Sequence, residues 1–251
     1  MTPHLLLALV LSTLIGVSLG LLGGGGSILA VPVLVYVAGV DVHTAIGMSL
    51  AVVGATALVG GLAHARAGGV DLRAGAVFGG AGMLGAPLGA QATHTVAPRV
   101  LMLLFAALML VVGALMLRGP SAGRGERTGP RSPAVPAAGF GVGLLTGFLG
   151  IGGGFLVVPA LALLAGLPIH RVVGTSLLVI AANSAAGLLG HLGRGGMPPA
   201  LTAAFTATAV LGALAAVRRA SDLDPARLRR AFAAFVILVG LVLLARNALP
   251  A

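Results

Sequence analysis

The chain has 251 residues, of which 58% are hydrophobic and 8% charged, where an average soluble domain carries about 25% charged residues. With a mean hydropathy of +1.12, this composition excludes a water-soluble fold. The net charge of +10 comes from fifteen arginines, but with no Trp and one Tyr there is no stacking platform for bases, so nucleic acid is excluded as a partner.

In chain order, the first apolar run covers 5–22 and lacks a basic n-region, so it reads as a retained helix and not a cleaved leader. The string GLLGGGGSILAVP at 20–32 then breaks the apolar sequence, and a short apolar run continues to about Gly39. Three spans are predicted at about 43–63, 73–92 and 99–117. Residues 118–134, rich in Gly, Pro, Ser and Arg, read as an exposed linker. The order then recurs: an opening run, the string GFLGIGGGFLVVP at 147–159, a short run to about Gly166, and spans at about 170–190, 200–217 and 230–247. Continuous runs near 20 residues suit helices that cross about 30 Å of hydrocarbon, whereas barrel strands alternate over about ten. The expected fold is an all-α polytopic membrane protein of a bacterial inner membrane.

The recurrence is a duplication at a constant offset of 127 residues. Between Gly20 and Leu50, 15 of 31 positions match the residue 127 further on, among them Pro32 with Pro159, His43 with His170 and Ser49 with Ser176. His64 with His191 and Pro98 with Pro225 extend the match without a gap. The expected units are a first membrane repeat at 1–117, a cytoplasmic linker at 118–134 and a second membrane repeat at 135–251. Arginines set the orientation, because cytoplasmic loops attract positive charge. If each opening region crosses once, the arginines divide eight to seven; if each folds as a hairpin, twelve lie inside and only Arg99, Arg194 and Arg246 outside. The bias favours two inverted copies, each a Gly-broken opening hairpin plus three spans.

Paired broken segments are the sequence pointer to a transporter's binding site, since irregular backbone at membrane depth faces protein or a water-filled cavity. The helix that restarts after each break presents unpaired N–H groups to an anion. The glycines alone can also serve close helix packing. Candidate substrate-binding residues are Gly23, Gly25, Gly26, Ser27 and Pro32 with Gly150, Gly152, Gly153, Gly154 and Pro159, together with Ser49, Thr175, Ser176 and Asn183 in the following spans. Each of these polar side chains can equally cement a helix pair. The five acidic residues all fall in gaps or at span ends, which leaves no carboxylate relay in the bilayer and suits an anionic or neutral cargo. His43, His64, His170 and His191 are candidates for gating or proton coupling, or else interfacial side chains inherited twice. No cysteine, no convergent ligand set and no nucleophile, base and orienter set is visible, so no metal, no cofactor and no enzyme activity is expected.

The two glycine strings, each followed by a Gly-x-Ser segment (IGMSL, VGTSL), resemble the sulfite exporter TauE/SafE family of membrane permeases. The resemblance covers nearly the whole chain. It implies an inner-membrane permease for a small sulfur-containing anion such as sulfite or an organosulfonate, and alternating access would carry the cargo. The competing expectation is a passive anion channel or a non-transporting membrane partner. The motif residues are Gly23, Gly25, Gly26, Pro32, Gly47 and Ser49, with Gly150, Gly152, Gly153, Pro159, Gly174 and Ser176; Ile151 replaces Gly24 and Gly154 replaces Ser27 between the copies.

Overall fold

The computed structural model describes residues 3–118, 133–150, 153–165, 167, 169–191, 196–219 and 225–248. These form α1 (Pro3–Leu22), a 3-10 turn (Gly25–Leu29), α2 (Ala30–Tyr36), α3 (Val42–Arg66), α4 (Leu72–Thr93) and α5 (Pro98–Arg118). The second set is α6 (Ala134–Leu149), α7 (Gly154–Leu164), α8 (Ile169–His191), α9 (Pro199–Arg219) and α10 (Pro225–Ala248). The six long spans expected from sequence are α3, α4, α5, α8, α9 and α10. Most of the expected linker, 119–132, lies outside the described residues.

Helix starts follow local chemistry. Asp41 caps α3 by accepting from the N–H groups of His43 and Thr44, and Asp71 caps α4 by accepting from Ala74. Proline opens α5, α9 and α10, where its missing N–H costs nothing. Among the described residues, five segments are long and apolar enough to cross a bilayer: Leu5–Leu22, Val42–Arg66, Pro98–Leu115, Arg171–His191 and Pro199–Arg218. Large apolar side chains such as Leu84 and Leu211 stand on the outer surface, as a hydrocarbon solvent demands.

The chain reverses after α1 and again after α6. Gly23 has φ +72° and Gly150 φ +68°, a left-handed conformation open to glycine at no steric cost. Beyond the first turn, Gly26 lies against Ile15 and Leu19 of α1, and beyond the second, Gly153 lies against Val142 and Thr146 of α6. A chain that continued straight on would be about 16 Å from Ile15 by Gly26, at 1.5 Å per residue. The opening helix and the short helix after it are therefore hairpins.

Two helix pairs are locked backbone to backbone. A Cβ at Gly16 would overlap the Ala209 carbonyl oxygen, binding α1 to α9, and one at Gly147 would overlap that of Ala86, binding α6 to α4. Small residues give this approach, the usual basis of helix association in lipid. The α3 and α8 helices meet through side chains: Gly60 and Gly61 face Leu177 and Leu178, Gly54 faces Ser184, and Gly187 faces Leu50. These pairings run in opposite directions, so α3 and α8 are antiparallel. So are α5 and α10, where Gly113 meets Ala233 and Ile237 while Arg99 Nε donates to the Asn247 carbonyl at 2.8 Å. One end of the molecule thus carries the exposed Arg66, Arg73, Arg171, Arg218 and Arg230, and the opposite end carries Arg99 and Arg246.

Candidate functional site

The two glycine breaks meet. A Cβ at Gly24 would overlap the backbone of Gly154, and one at Gly154 would strike Gly24 and the Ile180 side chain. Gly23 seats on α8 at Val173 and Ser176, while Gly150 seats on α3 at Ile46. A serine holds each seat. The Ser176 hydroxyl donates to the Gly23 carbonyl at 2.6 Å and also approaches the Val173 carbonyl at 2.8 Å. The Ser49 hydroxyl does the same to Gly150, with Ile46 as its second partner at 2.9 Å. Both serines are fully buried, and each secures a break that precedes the other's own span.

The remaining candidates divide by how their hydrogen bonds are used. Ser27 donates to the Gly24 carbonyl at 2.8 Å and so closes its own turn. Thr175 accepts from the Asp71 N–H at 2.8 Å, which ties the α3–α4 loop onto α8. Gly25, Gly26 and Pro32 are buried in the first hairpin, and Gly153 and Gly154 begin α7. Gly152 lies outside the described residues, and for Pro159 in α7 and His170 in α8 only the helical position is described.

Asn183 differs from the others. Its carboxamide is buried against Gly82 of α4, and neither Nδ2 nor Oδ1 has a protein partner. The next residue, Ser184, is equally buried and its hydroxyl is also unpartnered. Unsatisfied polar groups of this kind cost about 1–3 kcal/mol each, and they persist where a ligand, water or mechanism uses them.

Among the histidines, His64 of α3 places Nε2 3.4 Å from the Gly20 carbonyl at the arginine-rich end. At the other end His43 and His191 are brought together by a third histidine, His94, which caps the C-terminus of α4. The His43 and His94 rings stack with centroids 5.6 Å apart, and His94 and His191 lie 5.4 Å apart at a tilt of 54°. With Asp41, Thr44, Gly47 and Met197 they line a cavity of about 100 Å³. The repeat does not single out His94, because the residue 127 positions on is Ser221. Asp41 reads in sequence only as an acid in a gap. Among the described residues, no group of three His, Asp or Glu side chains is arranged to hold a metal ion.

The sequence profile of the sulfite exporter TauE/SafE matches residues 8–243, almost the full length of the chain. The chain belongs to that family. Among curated relatives, a probable membrane transporter protein of Xylella fastidiosa (strain 9a5c) is 44% identical over 172 residues, which is 66% of each chain. The probable membrane transporter protein YdhB of Bacillus subtilis is 28% identical over 76% of this chain and 80% of its own. The probable membrane transporter protein YunE of the same organism is 30% identical over 73% and 76%. No solved structure matches. This TauE/SafE member is thus a multi-pass protein of a bacterial inner membrane, from a family of membrane transporters and not of enzymes.

Proposed function

We propose that the protein is a secondary permease for a small sulfur-containing anion, sulfite or an organosulfonate, built from two inverted repeats and working by alternating access. The observation that carries this reading is the contact between the two glycine breaks, each clasped by the serine of the opposite span. Inversion is supported by the antiparallel course of α3 against α8 and of α5 against α10, since helices at matching places in the two copies run in opposite directions. A direct tandem, with each opening region crossing once, would separate Arg99 from Arg246; here both line one cavity with Tyr36 and Asn247. The positive-inside rule makes the arginine-rich end cytoplasmic.

Cargo in this reading passes between the breaks and beside Asn183, whose free amide donor and backbone N–H groups at the breaks offer hydrogen bonds to oxyanion oxygens without a fixed charge to trap them. Gly23, Gly25, Gly26, Gly150, Gly152, Gly153 and Gly154 supply the backbone; Ser27, Ser49, Thr175 and Ser176 hold it in shape. The bodies that rock are not the two halves of the sequence. The α1–α9 and α4–α6 pairs are backbone-locked, so each body mixes both copies, and the side-chain contact of α3 with α8 is where they slide.

A reversible cross-link tests this. A Cβ at Gly54 lies 3.0 Å from that of Ser184, near the 3.5–4.5 Å span of a disulfide, and the chain has no native cysteine to interfere. In proteoliposomes, oxidised Gly54→Cys/Ser184→Cys protein should lose flux of methanesulfonate, which unlike sulfite does not cleave a disulfide, and regain it on reduction. Flux that persists through oxidation points to a passive channel, and absent flux of sulfite and small sulfonates in the unmodified protein overturns the transport reading.

A further inference from the structure

We infer that the cavity among His43, His94 and His191 is an oxyanion subsite that fills when its imidazoles take up protons, the station at which cargo is received or released at the Arg99 and Arg246 end. The inference rests on the transport reading above but names a separate site, a ligand class and a control.

Three imidazoles from α3, α4 and α8 converge on a space of about 100 Å³. A space of this size holds a few waters or one small oxyanion. It is too small for the drug-sized ligands that fill about 300 Å³ or more. Among the described residues, the side chains that face it come from four segments. The start of α3 contributes Asp41, His43 and Thr44, the end of α4 His94, the end of α8 His191, and the described residues before α9 contribute Met197. Two fixed cations, Arg99 and Arg246, line a second cavity of about 270 Å³ that reaches Val42, next to His43.

Neutral imidazole has one N–H donor and no charge; imidazolium has two donors and a positive charge. Charge-assisted hydrogen bonds to an oxyanion are about twice as strong as neutral ones. The stacked rings of His43 and His94 repel when both are charged, so an anion bound at their N–H edges favours the protonated pair. By linkage, protons favour the anion equally. Asp41 works against the anion: its carboxylate oxygen stands 4.0 Å from His43 Nδ1 and its side chain is 63% exposed at the mouth. With neutral imidazoles the site presents the Asp41 carboxylate and no cation, and it rejects an anion; with imidazolium it holds one.

The experiment measures anion binding and net proton uptake by the purified full-length chain in detergent, with sulfite and with methanesulfonate, whose single charge is constant with pH. Between about pH 6 and about pH 8 the affinity for methanesulfonate should weaken about tenfold, with protons taken up on binding at the acid end. A His94→Gln/His191→Gln variant should flatten that pH dependence. Asp41→Asn, which keeps a good helix cap, should move the affinity the opposite way and tighten it. A merely structural role for these residues does not predict opposite signs. Binding without proton uptake, failure of both anions to bind near pH 6, or an Asp41→Asn change in the same direction as the histidine changes overturns the subsite. Sulfite flux measured in parallel separates the two claims. Flux with pH-blind binding leaves the transport reading standing alone, and pH-linked binding without flux leaves the subsite standing alone.

Discussion

The two ends of the antiparallel α3–α8 pair differ in what the described residues pack against them. At the arginine-rich end the α3–α4 loop seals onto α8: a Cβ at Gly174 would overlap the Gly69 carbonyl oxygen, and the Asp71 N–H is bound by the buried Thr175. At the histidine end the described side chains nearest a Cβ at Gly47, the counterpart of Gly174, are Met197, with its sulfur 3.3 Å away, and His191, with its Cβ 3.9 Å away, and a cavity opens beside it. Backbone against backbone cannot give, whereas a methionine side chain has three rotatable bonds and re-packs easily.

The largest effect that tests this contrast is all or none. Cysteine at Thr44, in the histidine cavity, should react with a membrane-impermeant thiol reagent applied from the Arg99 and Arg246 side. Cysteine at Thr175, fully buried beneath the loop, should resist reagent from either side. Equal labelling of both would mean that the two ends are not differently closed. A smaller effect is expected from matched alanines. Gly174→Ala should cost about 1–3 kcal/mol in thermal or denaturant stability, the range for forcing extra volume into a packed interior, while Gly47→Ala should cost less than about 1 kcal/mol because the methionine yields. Reversal of that order would contradict the sealed-end assignment. Smallest is Thr175→Val, which keeps the shape and removes the acceptor for the Asp71 N–H. A loss of about 1 kcal/mol, or less if water reaches the loop, is expected, together with the first appearance of labelling in a cysteine placed at Val173. Stability raised by this change would deny the threonine its part in the seal.

Much of this architecture is legible in the sequence, and the reasons are physical. Long apolar runs must be helices where no water can satisfy the backbone, and the runs predicted at 43–63 and 170–190 lie inside α3 and α8. The glycine strings were readable as breaks because paired irregular segments in apolar sequence need a shared explanation. Ser49 and Ser176 were legible as important but not in role: a hydroxyl at membrane depth can serve a ligand or a neighbouring carbonyl, and only their reach to Gly150 and Gly23 shows that they serve the carbonyl. Thr175 likewise bonds neighbouring backbone, accepting from the Asp71 N–H, whereas the Asn183 carboxamide has no protein partner. His94 escaped because the repeat drew attention to residues present twice, and it is present once.

By itself, then, the sequence determined that the chain is helical and membrane-embedded and where its helices begin, because these follow from local composition, caps and the length of a bilayer crossing. The arginine count also pointed to the hairpins, through a field that acts on short loops. Which helices embrace was decided only in three dimensions. The helix α1 packs on α9 and α6 packs on α4, because glycine and alanine rows on those helices allow their backbones to touch. That pairing, and the gathering of His43, His94 and His191 from three separate spans, depends on contacts between residues about 50 to 200 positions apart, for which no local pattern in the chain carries a signal.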